Sequence, residues 1–250
     1  MVAKRIHLKR SGKKIVVIPA RMSSGRLPGK PMLEAAGKPL VQWTYEQAKK
    51  TEADHVIVAT GDVEIAQHCD RVGMTWMLAD SNHPNGTSRV AEVVAKLKLE
   101  VRQGNLIVVN WQVDEPMVEI SDVNKLMALR LTSIGTLVCK NRKTPSDVNN
   151  MLDPNTVKVV WSRGQCHWFS RASIPGAGFH IGLYSFSVFL LGMASRLNPS
   201  HLSELESLEQ LTWLENDISL VPIEIEQSFP LSINTLKDWA VFKQLKEAGE

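Results

Sequence analysis

A short apolar segment that ends in a basic, glycine- and proline-containing loop constrains the fold more than any other feature. Residues 15–20 are Ile-Val-Val-Ile-Pro-Ala, and residues 21–31 are Arg-Met-Ser-Ser-Gly-Arg-Leu-Pro-Gly-Lys-Pro. An uninterrupted apolar run of this length is typical of a strand buried on both faces of a parallel sheet. Ligands of open α/β sheets bind beyond the carboxyl ends of the strands. The pattern therefore predicts a first strand followed by a ligand-binding loop.

The residues of this loop suit a polyphosphate. Arg21, Arg26 and Lys30 supply three cations, and a segment that contains Ser24 and two glycines supplies backbone N–H groups. Guanidinium and backbone N–H groups are common ligands of phosphate oxygens. The loop contains neither G-x-x-x-x-G-K-[ST] nor G-x-G-x-x-G, so it is not a P-loop or a dinucleotide fingerprint. The alternative interpretation is that the loop binds no phosphate and that its prolines only stiffen a turn.

Apolar and amphipathic segments alternate along the first half of the chain. Strands are predicted at 15–20, 56–60, 74–78 and 106–110, with helices at 40–50, 62–71 and 90–99. This alternation is typical of right-handed βαβ units in a parallel sheet. A Thr or Ser that follows Gly86 is predicted to cap the third helix. In the second half, strands are predicted at 134–140, 157–161 and 218–225, and one amphipathic helix at 202–215.

Composition excludes several classes of protein. The 44% hydrophobic and 22% charged residues are those of an ordinary globular protein. No apolar run approaches the ~20 residues of a membrane span, and the N-terminal segment lacks the apolar region of a secretion signal. The three cysteines, Cys69, Cys139 and Cys166, form no C-x-x-C pair, which favours reduced thiols over disulfides or zinc. We therefore expect a cytoplasmic protein with no membrane partner.

The basic residues are concentrated at the N-terminus. Residues 1–14 contain six Lys or Arg and no acidic residue, so the rest of the chain carries a net charge of −3. A basic segment of this kind can contact nucleic acid. Nothing downstream repeats the basic pattern or interleaves it with aromatic residues. We predict that residues 1–14 form a solvated extension and that nucleic acid is not a partner.

The motifs together resemble the CMP-Kdo synthetase (3-deoxy-manno-octulosonate cytidylyltransferase) family. The first loop is similar to its I-P-A-R-x-x-S-x-R-L-P-G-K-P signature, and residues 86–89 are similar to its second nucleotide-contacting loop, G-T-x-R. Further similar blocks follow in the family's order, at 110–116, 153–160, 168–175, 180–184 and 205–211. The resemblance extends from about Lys14 to the C-terminal helix.

The resemblance implies an α/β, Rossmann-like nucleotidyltransferase fold. Such a fold has a mainly parallel central sheet flanked by helices and a smaller sheet for sugar binding and dimerisation. Residues 15–250 would form a single domain. Within it, the resemblance implies a nucleotide-binding part at 15–133, a sugar-acid and dimer part at 134–233 and a C-terminal helix at 234–250.

For the nucleotide, the resemblance implies a binding set of Pro19, Ala20, Arg21, Ser24, Arg26, Lys30, Gly86, Thr87, Arg89 and Gln112. Arg21, Lys30 and Asp114 are the implied catalytic residues. Asp114 follows the predicted strand at 106–110, where a carboxylate can hold Mg²⁺ against phosphates. A helix N-terminal cap is the alternative role for Asp114.

Asn234 stands where the family has a second metal-binding carboxylate. An amide oxygen can still ligate Mg²⁺, although it adds no charge. Asn is also as good a helix N-terminal cap as Asp. We therefore predict that Asn234 caps the last helix and takes part in the metal site with Asp114.

For the acceptor, the resemblance implies a sugar-binding set of Gln112, Arg171, His180, Tyr184, Glu209 and Gln210. Arg171 lies in a block similar to F-S-R-x-x-I-P, and its planar guanidinium could bind a carboxylate through two parallel hydrogen bonds. Without the motif, Arg171 is equally consistent with a surface arginine. Glu209 and Gln210 are equally consistent with a solvated helix face.

Two further differences from the family concern the cleft. Val113 occupies the place of a glycine in the family, and we expect the φ of that glycine to be one that a β-branched residue resists. This predicts a shifted loop or a narrower pocket. Only residues 176–179 separate the I-P and H-x-G-x-Y blocks, whereas the family has a longer excursion there. We therefore expect the acceptor site to be covered differently.

The residues and the resemblance together predict attack of a sugar-acid hydroxyl on the α-phosphorus of CTP, with pyrophosphate leaving and Mg²⁺ as cofactor. The first candidate acceptor is a 3-deoxy-ulosonic acid, Kdo or an amino-substituted relative, for the synthesis of surface polysaccharide by a homodimer. Two alternatives remain open. One is a nucleotidyltransferase for another sugar acid, and the other is a divergent nucleotide- or sugar-binding protein with reduced catalysis.

Overall fold

The computed structural model describes residues 14–23, 25–97, 106–129, 132–140, 151–225 and 231–249. Several sequence-based predictions lie wholly or partly outside these ranges. They include Ser24, the basic extension before Lys14 and the end of the helix predicted at 90–99.

The first half of the described chain is built from βαβ units. Its elements are β1 (Lys14–Pro19), a 3-10 turn (Lys30–Met32), β2 (Glu34–Ala35), β3 (Lys38–Pro39), α1 (Leu40–Ala48), β4 (His55–Thr60), α2 (Val63–Val72), β5 (Trp76–Leu78), α3 (Gly86–Lys96), β6 (Ile107–Trp111) and α4 (Ile120–Leu126). β1 pairs in parallel with β4 on one side and with β6 on the other, and β4 pairs in parallel with β5. The predicted parallel sheet is confirmed.

The second half extends the same sheet. Its elements are β7 (Ile134–Cys139), β8 (Lys158–Ser162), β9 (Gln165–Ser170), β10 (Gly178–Ser187), α5 (Val188–Ala194), α6 (His201–Glu206), α7 (Glu209–Glu215), β11 (Leu220–Glu224) and α8 (Leu236–Glu247). β10 joins the halves because it pairs antiparallel with both β6 and β7. The strand order is β11-β7-β10-β6-β1-β4-β5, and the β8–β9 hairpin attaches to the start of β10. The predicted α/β fold with a mainly parallel central sheet is confirmed.

The central sheet is covered on both faces. Alternate residues of β1 belong to different apolar clusters, with Val16 and Ile18 on the side of α1 and Ile15 and Val17 on the side of α3. This double burial explains why the first strand is an apolar run without alternation. All three cysteines are buried and unbridged, and burial raises the pKa of Cys69 and of Cys166 to about 12.

Two predicted helices differ from the structure. Residues 202–215 form two helices, α6 and α7, because Ser207 adopts the left-handed conformation with a φ of 52° and ends α6. α3 begins at Gly86 rather than at Val90. Its cap is Asn85, whose side-chain oxygen accepts a hydrogen bond from the backbone N–H of Ser88 at 2.8 Å. The prediction of a Thr or Ser cap was wrong, because an amide oxygen before the glycine already satisfies that N–H.

Helix α8 is capped by Thr235, so the prediction of a cap at Asn234 was wrong. The Thr235 hydroxyl accepts a hydrogen bond from the backbone N–H of Asp238 at 3.3 Å. The Asp238 carboxylate accepts one in return from the backbone N–H of Thr235 at 2.8 Å, which completes a capping box. No described helix is both long and apolar enough to cross a membrane.

Candidate functional site

A cleft lies beyond the carboxyl ends of β1 and β6, where the first loop was predicted to bind a ligand. It contains two adjoining cavities. The inner cavity, of about 210 Å³, reaches Lys30 and Arg89. The outer cavity, of about 360 Å³, reaches Arg171 and Tyr184. The residues common to both cavities are Arg21, Arg26, Asn85, Gly86, Gln112, Asp114 and Asn234.

Lys30 and Asp114 meet at the inner cavity. The Nζ atom of Lys30 lies 2.6 Å from Oδ2 of Asp114 and donates a second hydrogen bond to the backbone oxygen of Ile233 at 3.1 Å. The backbone N–H of Ile233 in turn donates to the backbone oxygen of Asp114 at 2.8 Å. The first loop, the tip of β6 and the segment before α8 are therefore held together at one point, and Lys30 is only 8% exposed.

Arg21 and Arg26 extend from the first loop across the cleft. Arg21 donates from Nη1 to the backbone oxygen of His83 at 3.3 Å. Arg26 donates from Nη1 to Oδ1 of Asn155 at 3.1 Å. Neither guanidinium forms an ion pair with a carboxylate in the described part of the chain. Both guanidinium groups are therefore available to pair with an anionic ligand.

Arg89 is an almost fully buried cation on α3. Its Nη2 atom donates to the backbone oxygen of Ser81 at 3.3 Å, whereas Nη1 has no hydrogen-bond partner among the described residues. Burial, and then the nearby charge of Arg21, lower the pKa of Arg89. A buried guanidinium N–H without a partner is costly, and an anionic ligand in the inner cavity would offset that cost.

Gly86 permits a close approach at the junction of the two cavities. A Cβ atom at this position would lie 2.8 Å from Nε2 of Gln112 and 3.2 Å from Cγ of Pro19. The structure therefore brings together three of the predicted nucleotide-binding residues. Two others, Ala20 and Thr87, are buried and line neither cavity.

Val113 takes the position of the family's glycine without backbone strain. The non-glycine residues with positive φ in the described chain are Ala36, Arg163, Ser207 and Asp217. The Val113 side chain is buried in the apolar cluster on the side of α1, and its backbone oxygen accepts a hydrogen bond from Oγ1 of Thr44 at 2.8 Å. Val113 therefore avoids the φ that valine resists, and the predicted shift of the loop or narrowing of the pocket stays a prediction.

Polar side chains from β10 and α7 face the outer cavity. The Tyr184 hydroxyl donates to Oε1 of Gln210 at 3.1 Å. His180 Nε2 lies 2.8 Å from the hydroxyl of Thr136, which itself donates to the backbone oxygen of Leu183, so Nε2 is the donor in this contact. Gln210 is 2% exposed. The alternative of a solvated helix face is therefore wrong for Gln210.

Glu209 supplies a buried carboxyl group to the outer cavity. Its Oε2 atom has no hydrogen-bond partner among the described residues. Burial raises the pKa of Glu209 to about 7, although hydrogen bonds from the hydroxyl and the backbone N–H of Thr87 act in the opposite direction. A ligand with a hydrogen-bond donor would satisfy Oε2.

Arg171 is held mainly by backbone oxygens. Nε donates to Glu206 at 2.7 Å, Nη1 to Pro154 at 3.0 Å and Nη2 to Ser207 at 3.3 Å. The edge formed by Nε and Nη2 is therefore occupied. Of the five guanidinium N–H groups, one on each Nη atom remains for a ligand. Burial, and then the nearby Arg26, lower the pKa of Arg171.

Asp114 and Asn234 are the predicted ligands of Mg²⁺, and both line the two cavities. The described residues contain no cluster of three or more His, Cys, Asp or Glu side chains that could hold a metal ion by themselves. Magnesium is commonly bound by one or two protein ligands together with substrate phosphates and water. One carboxylate and one amide oxygen therefore fit a magnesium ion that arrives with a nucleotide.

Sequence reasoning missed Glu115, the residue next to Asp114. Its Oε1 atom accepts hydrogen bonds from the backbone N–H of Gly182 at 3.3 Å and from the Ser232 hydroxyl at 2.6 Å. Glu115 therefore ties β10 to the segment before α8. A second acidic residue at the tip of the strand could have indicated a functional role for Glu115. Its hydrogen-bond partners are distant in sequence, however, and only the fold brings them close.

Residues 15–227 match the family model described as cytidylyltransferase. A 3-deoxy-manno-octulosonate cytidylyltransferase of Pseudomonas fluorescens is 36% identical over 251 residues, which cover 93% of this chain and 98% of that relative. One of Francisella tularensis subsp. holarctica is 34% identical over 245 residues, covering 92% and 97%. A solved CMP:2-keto-3-deoxy-manno-octonic acid synthetase complexed with CTP superimposes with a TM-score of 0.80 at 31% identity, over 95% of this chain and 100% of that one.

Proposed function

The chain belongs to the cytidylyltransferase family, and on that premise we propose that it transfers the cytidylyl group of CTP to 3-deoxy-manno-octulosonate (Kdo) or a close relative. A hydroxyl of the sugar acid attacks the α-phosphorus, and pyrophosphate leaves. The observation that carries the proposal is the Lys30–Asp114 pair, which faces a cavity bordered by arginines that form no ion pair with any carboxylate of the described residues. Cations and one acidic group at the same cavity suit a nucleoside triphosphate with its metal ion.

The inner cavity would hold the triphosphate. Arg21, Arg26 and Lys30 approach it from the first loop, and Arg89 approaches from α3. These cations oppose the negative charge of the phosphates and stabilise the charge that develops on the leaving pyrophosphate. The protein needs no covalent nucleophile, because positioning and electrostatic stabilisation are sufficient for this reaction class.

Asp114 and Asn234 would hold Mg²⁺ at this site. When bound, the ion offsets negative charge on the phosphates and on the attacking oxygen. The role of the chain is to present one carboxylate and one amide oxygen where the two cavities meet. Lys30, which pairs with Asp114 here, has the length and charge to contact a phosphate oxygen as well.

The outer cavity would hold the sugar acid. The remaining N–H groups of Arg171, with Arg26 nearby, provide a site for its carboxylate. Tyr184, Gln210 and Glu209 provide donors and acceptors for its hydroxyl groups. A cavity with arginines at one end and hydrogen-bonding groups that include the Glu209 carboxyl at the other suits a polyhydroxylated acid.

We also propose that the chain acts as a homodimer in the cytoplasm and supplies an activated sugar for surface polysaccharide. Buried, unbridged cysteines are consistent with a reducing compartment. The homodimer and the polysaccharide pathway rest on the resemblance to the family.

The proposal is tested by the release of pyrophosphate from each of the four nucleoside triphosphates, with Kdo or a sialic-type acid and with or without Mg²⁺. We expect release with CTP and Kdo in the presence of Mg²⁺. Absence of release with every combination would overturn the proposal. If calorimetry then still detected binding of CTP, the chain would be a nucleotide-binding protein with reduced catalysis.

One observation favours a second acceptor. The connection before β10 is a tight turn, closed by a hydrogen bond from the backbone N–H of Ala177 to the backbone oxygen of Ile174 at 3.2 Å, with Gly176 at a φ of 76°. Because this turn is too short to extend over the outer cavity, a bulkier sugar acid would also fit. Faster release of pyrophosphate with the sialic-type acid than with Kdo would establish this alternative.

A further inference from the structure

Asn110 is a polar residue at an otherwise apolar position of β6. It is 0% exposed, and its register partners on the flanking strands are Val17 of β1 and Tyr184 of β10. Register partners point to the same face of a sheet, and Val17 and Tyr184 belong to the apolar cluster beneath α3. An aliphatic side chain would pack here without the cost of burying an amide. The presence of an amide indicates a function other than packing.

Both ends of the Asn110 amide are hydrogen-bonded. Nδ2 donates to Oγ1 of Thr87 at 3.1 Å, and Oδ1 accepts from Nε2 of Gln112 at 3.1 Å. On its other side the Gln112 amide lies against Gly86. A Cβ atom added to Gly86 would lie too close to the Gln112 amide. The Gln112 amide is therefore fixed between Asn110 and Gly86, at the junction of the two cavities.

The Asn110 amide gives this series of hydrogen bonds a direction. Its Nδ2 atom donates to the hydroxyl oxygen of Thr87. Burial raises the pKa of the Glu209 carboxyl group, and Thr87 lies close enough to that group to act in the opposite direction. Oδ1 of Asn110 then faces Gln112 and accepts from Nε2, which leaves the Oε1 atom of Gln112 for the cavities.

We propose that Asn110 is a positioning residue that, through Thr87 and Gln112, fixes the Gln112 carbonyl oxygen as a hydrogen-bond acceptor where the two cavities meet. The same network ties Glu209 of the outer cavity to the start of α3 at the inner cavity. Asn110 lines neither cavity, so it acts only through other residues. The proposal rests on the proposed function only for the identity of the substrates that meet there.

The kinetic test uses Asn110→Leu, which keeps the branched shape and removes both hydrogen bonds, and Thr87→Val, which removes the hydroxyl. Each variant should lower kcat about 10-fold or more, with a smaller change in KM for CTP, because misplacing a group near the reacting atoms mainly raises the barrier. The double variant should be no slower than the slower single variant, since both changes break one network. Thr87→Ser, which restores a hydroxyl, should recover most of the activity that Thr87→Val loses.

A control separates positioning from stability. Ser187 caps α5 with a hydrogen bond from the backbone N–H of Leu190 at 3.1 Å, at the other end of β10 from the cleft. Ser187→Ala should lower the free energy of unfolding and leave kcat unchanged. Asn110→Leu should lower kcat far more than a loss of stability of the same size does in Ser187→Ala, because it removes the hydrogen bond that anchors the Gln112 amide. Asn110→Leu with full kcat, or multiplicative losses in the double variant, would overturn the proposal.

A second readout does not depend on turnover. The side-chain N–H protons of Gln112 should exchange slowly with solvent, because one of them is bonded to a buried oxygen, and exchange should be about 10-fold faster in Asn110→Leu. Unchanged exchange in that variant would contradict the proposal. If the wild-type chain releases no pyrophosphate with CTP and Kdo, the proposed function fails, and this exchange measurement still decides the role of Asn110.

Discussion

The ammonium nitrogen of Lys30 lies 2.6 Å from the carboxylate of Asp114, across a separation of 84 residues in sequence. The pair is unequally buried, with 11% of the Lys30 side chain and 23% of the Asp114 side chain exposed. Removal of one partner leaves the other as an unpaired charge. The more deeply buried charge should be the more costly one to leave unpaired.

Asp114→Ala should therefore lower the free energy of unfolding more than Lys30→Met does. We expect a loss of about 1–3 kcal/mol for Asp114→Ala. Both variants should lower kcat by about 100-fold or more, because each removes a charge from the reacting region. Urea unfolding and pyrophosphate release measure the two effects. Equal stability of the two variants would show that the depth of burial does not determine which unpaired charge is more costly.

Glu209 should make stability depend on pH near neutrality. Burial raises the pKa of its carboxyl group from 4.5 to about 7 in the folded chain, so between these values the folded state binds more protons than the unfolded state. The contribution of Glu209 to stability is then fully present below pH 4.5 and is lost as the pH rises through about 7. Glu209→Gln should gain in stability relative to the wild type over this window, as measured by urea unfolding at several pH values. A constant difference between the two proteins would contradict the assignment.

Glu92 should behave in the opposite way. Burial alone would raise its pKa, but hydrogen bonds from Lys96, His83 and the backbone N–H of Asp80 lower the pKa to about 2. Its contribution is then present above pH 4.5 and lost as the pH falls toward 2. Glu92→Gln should destabilise the chain at pH 7, and the difference from the wild type should shrink in acid. Thermal unfolding of both proteins at pH 3 and pH 7 checks this.

Gly86→Ala should impair the site without disrupting the fold. The added methyl group would lie 2.8 Å from Nε2 of Gln112, so the Gln112 amide must move. We expect a decrease in kcat/KM of about 10-fold or more. Gly192→Ala is the matched control, because a Cβ atom at this position on α5 meets nothing within 4 Å. It should retain full activity and gain about 0.5–1 kcal/mol of stability, since alanine favours the helix over glycine.

Restoring the family's residues at positions 113 and 234 should have unequal effects. Val113 is buried and unstrained, so Val113→Gly should cost about 2 kcal/mol or more of stability and should not increase kcat. Asn234→Asp adds a second carboxylate to the cleft and should lower the Mg²⁺ concentration that gives half-maximal rate. A large gain in kcat from Val113→Gly would indicate that the valine has damaged the site.

The alternation of apolar and amphipathic segments predicted the parallel sheet and most of its helices correctly, because hydrophobic periodicity is a local property. Local patterns failed where one residue decided the conformation. The left-handed Ser207 splits a segment that has the apolar spacing of a single helix, and Asn85 starts α3 before its apolar stripe begins. Neither a left-handed backbone conformation nor a side-chain cap changes the spacing of the hydrophobic residues, so that spacing does not reveal them.

The sequence by itself determined the sheet, the basic first loop and the acidic group at the tip of β6, because each depends on neighbouring residues and on a motif that they form. The tertiary structure alone decided which groups face one another. It pairs Lys30 with Asp114, turns Arg171 toward backbone oxygens and places Asn110 between Thr87 and Gln112. The physical reason is that a buried polar group is stable only with its own hydrogen-bond partners. Those partners come from strands and loops that are distant in sequence.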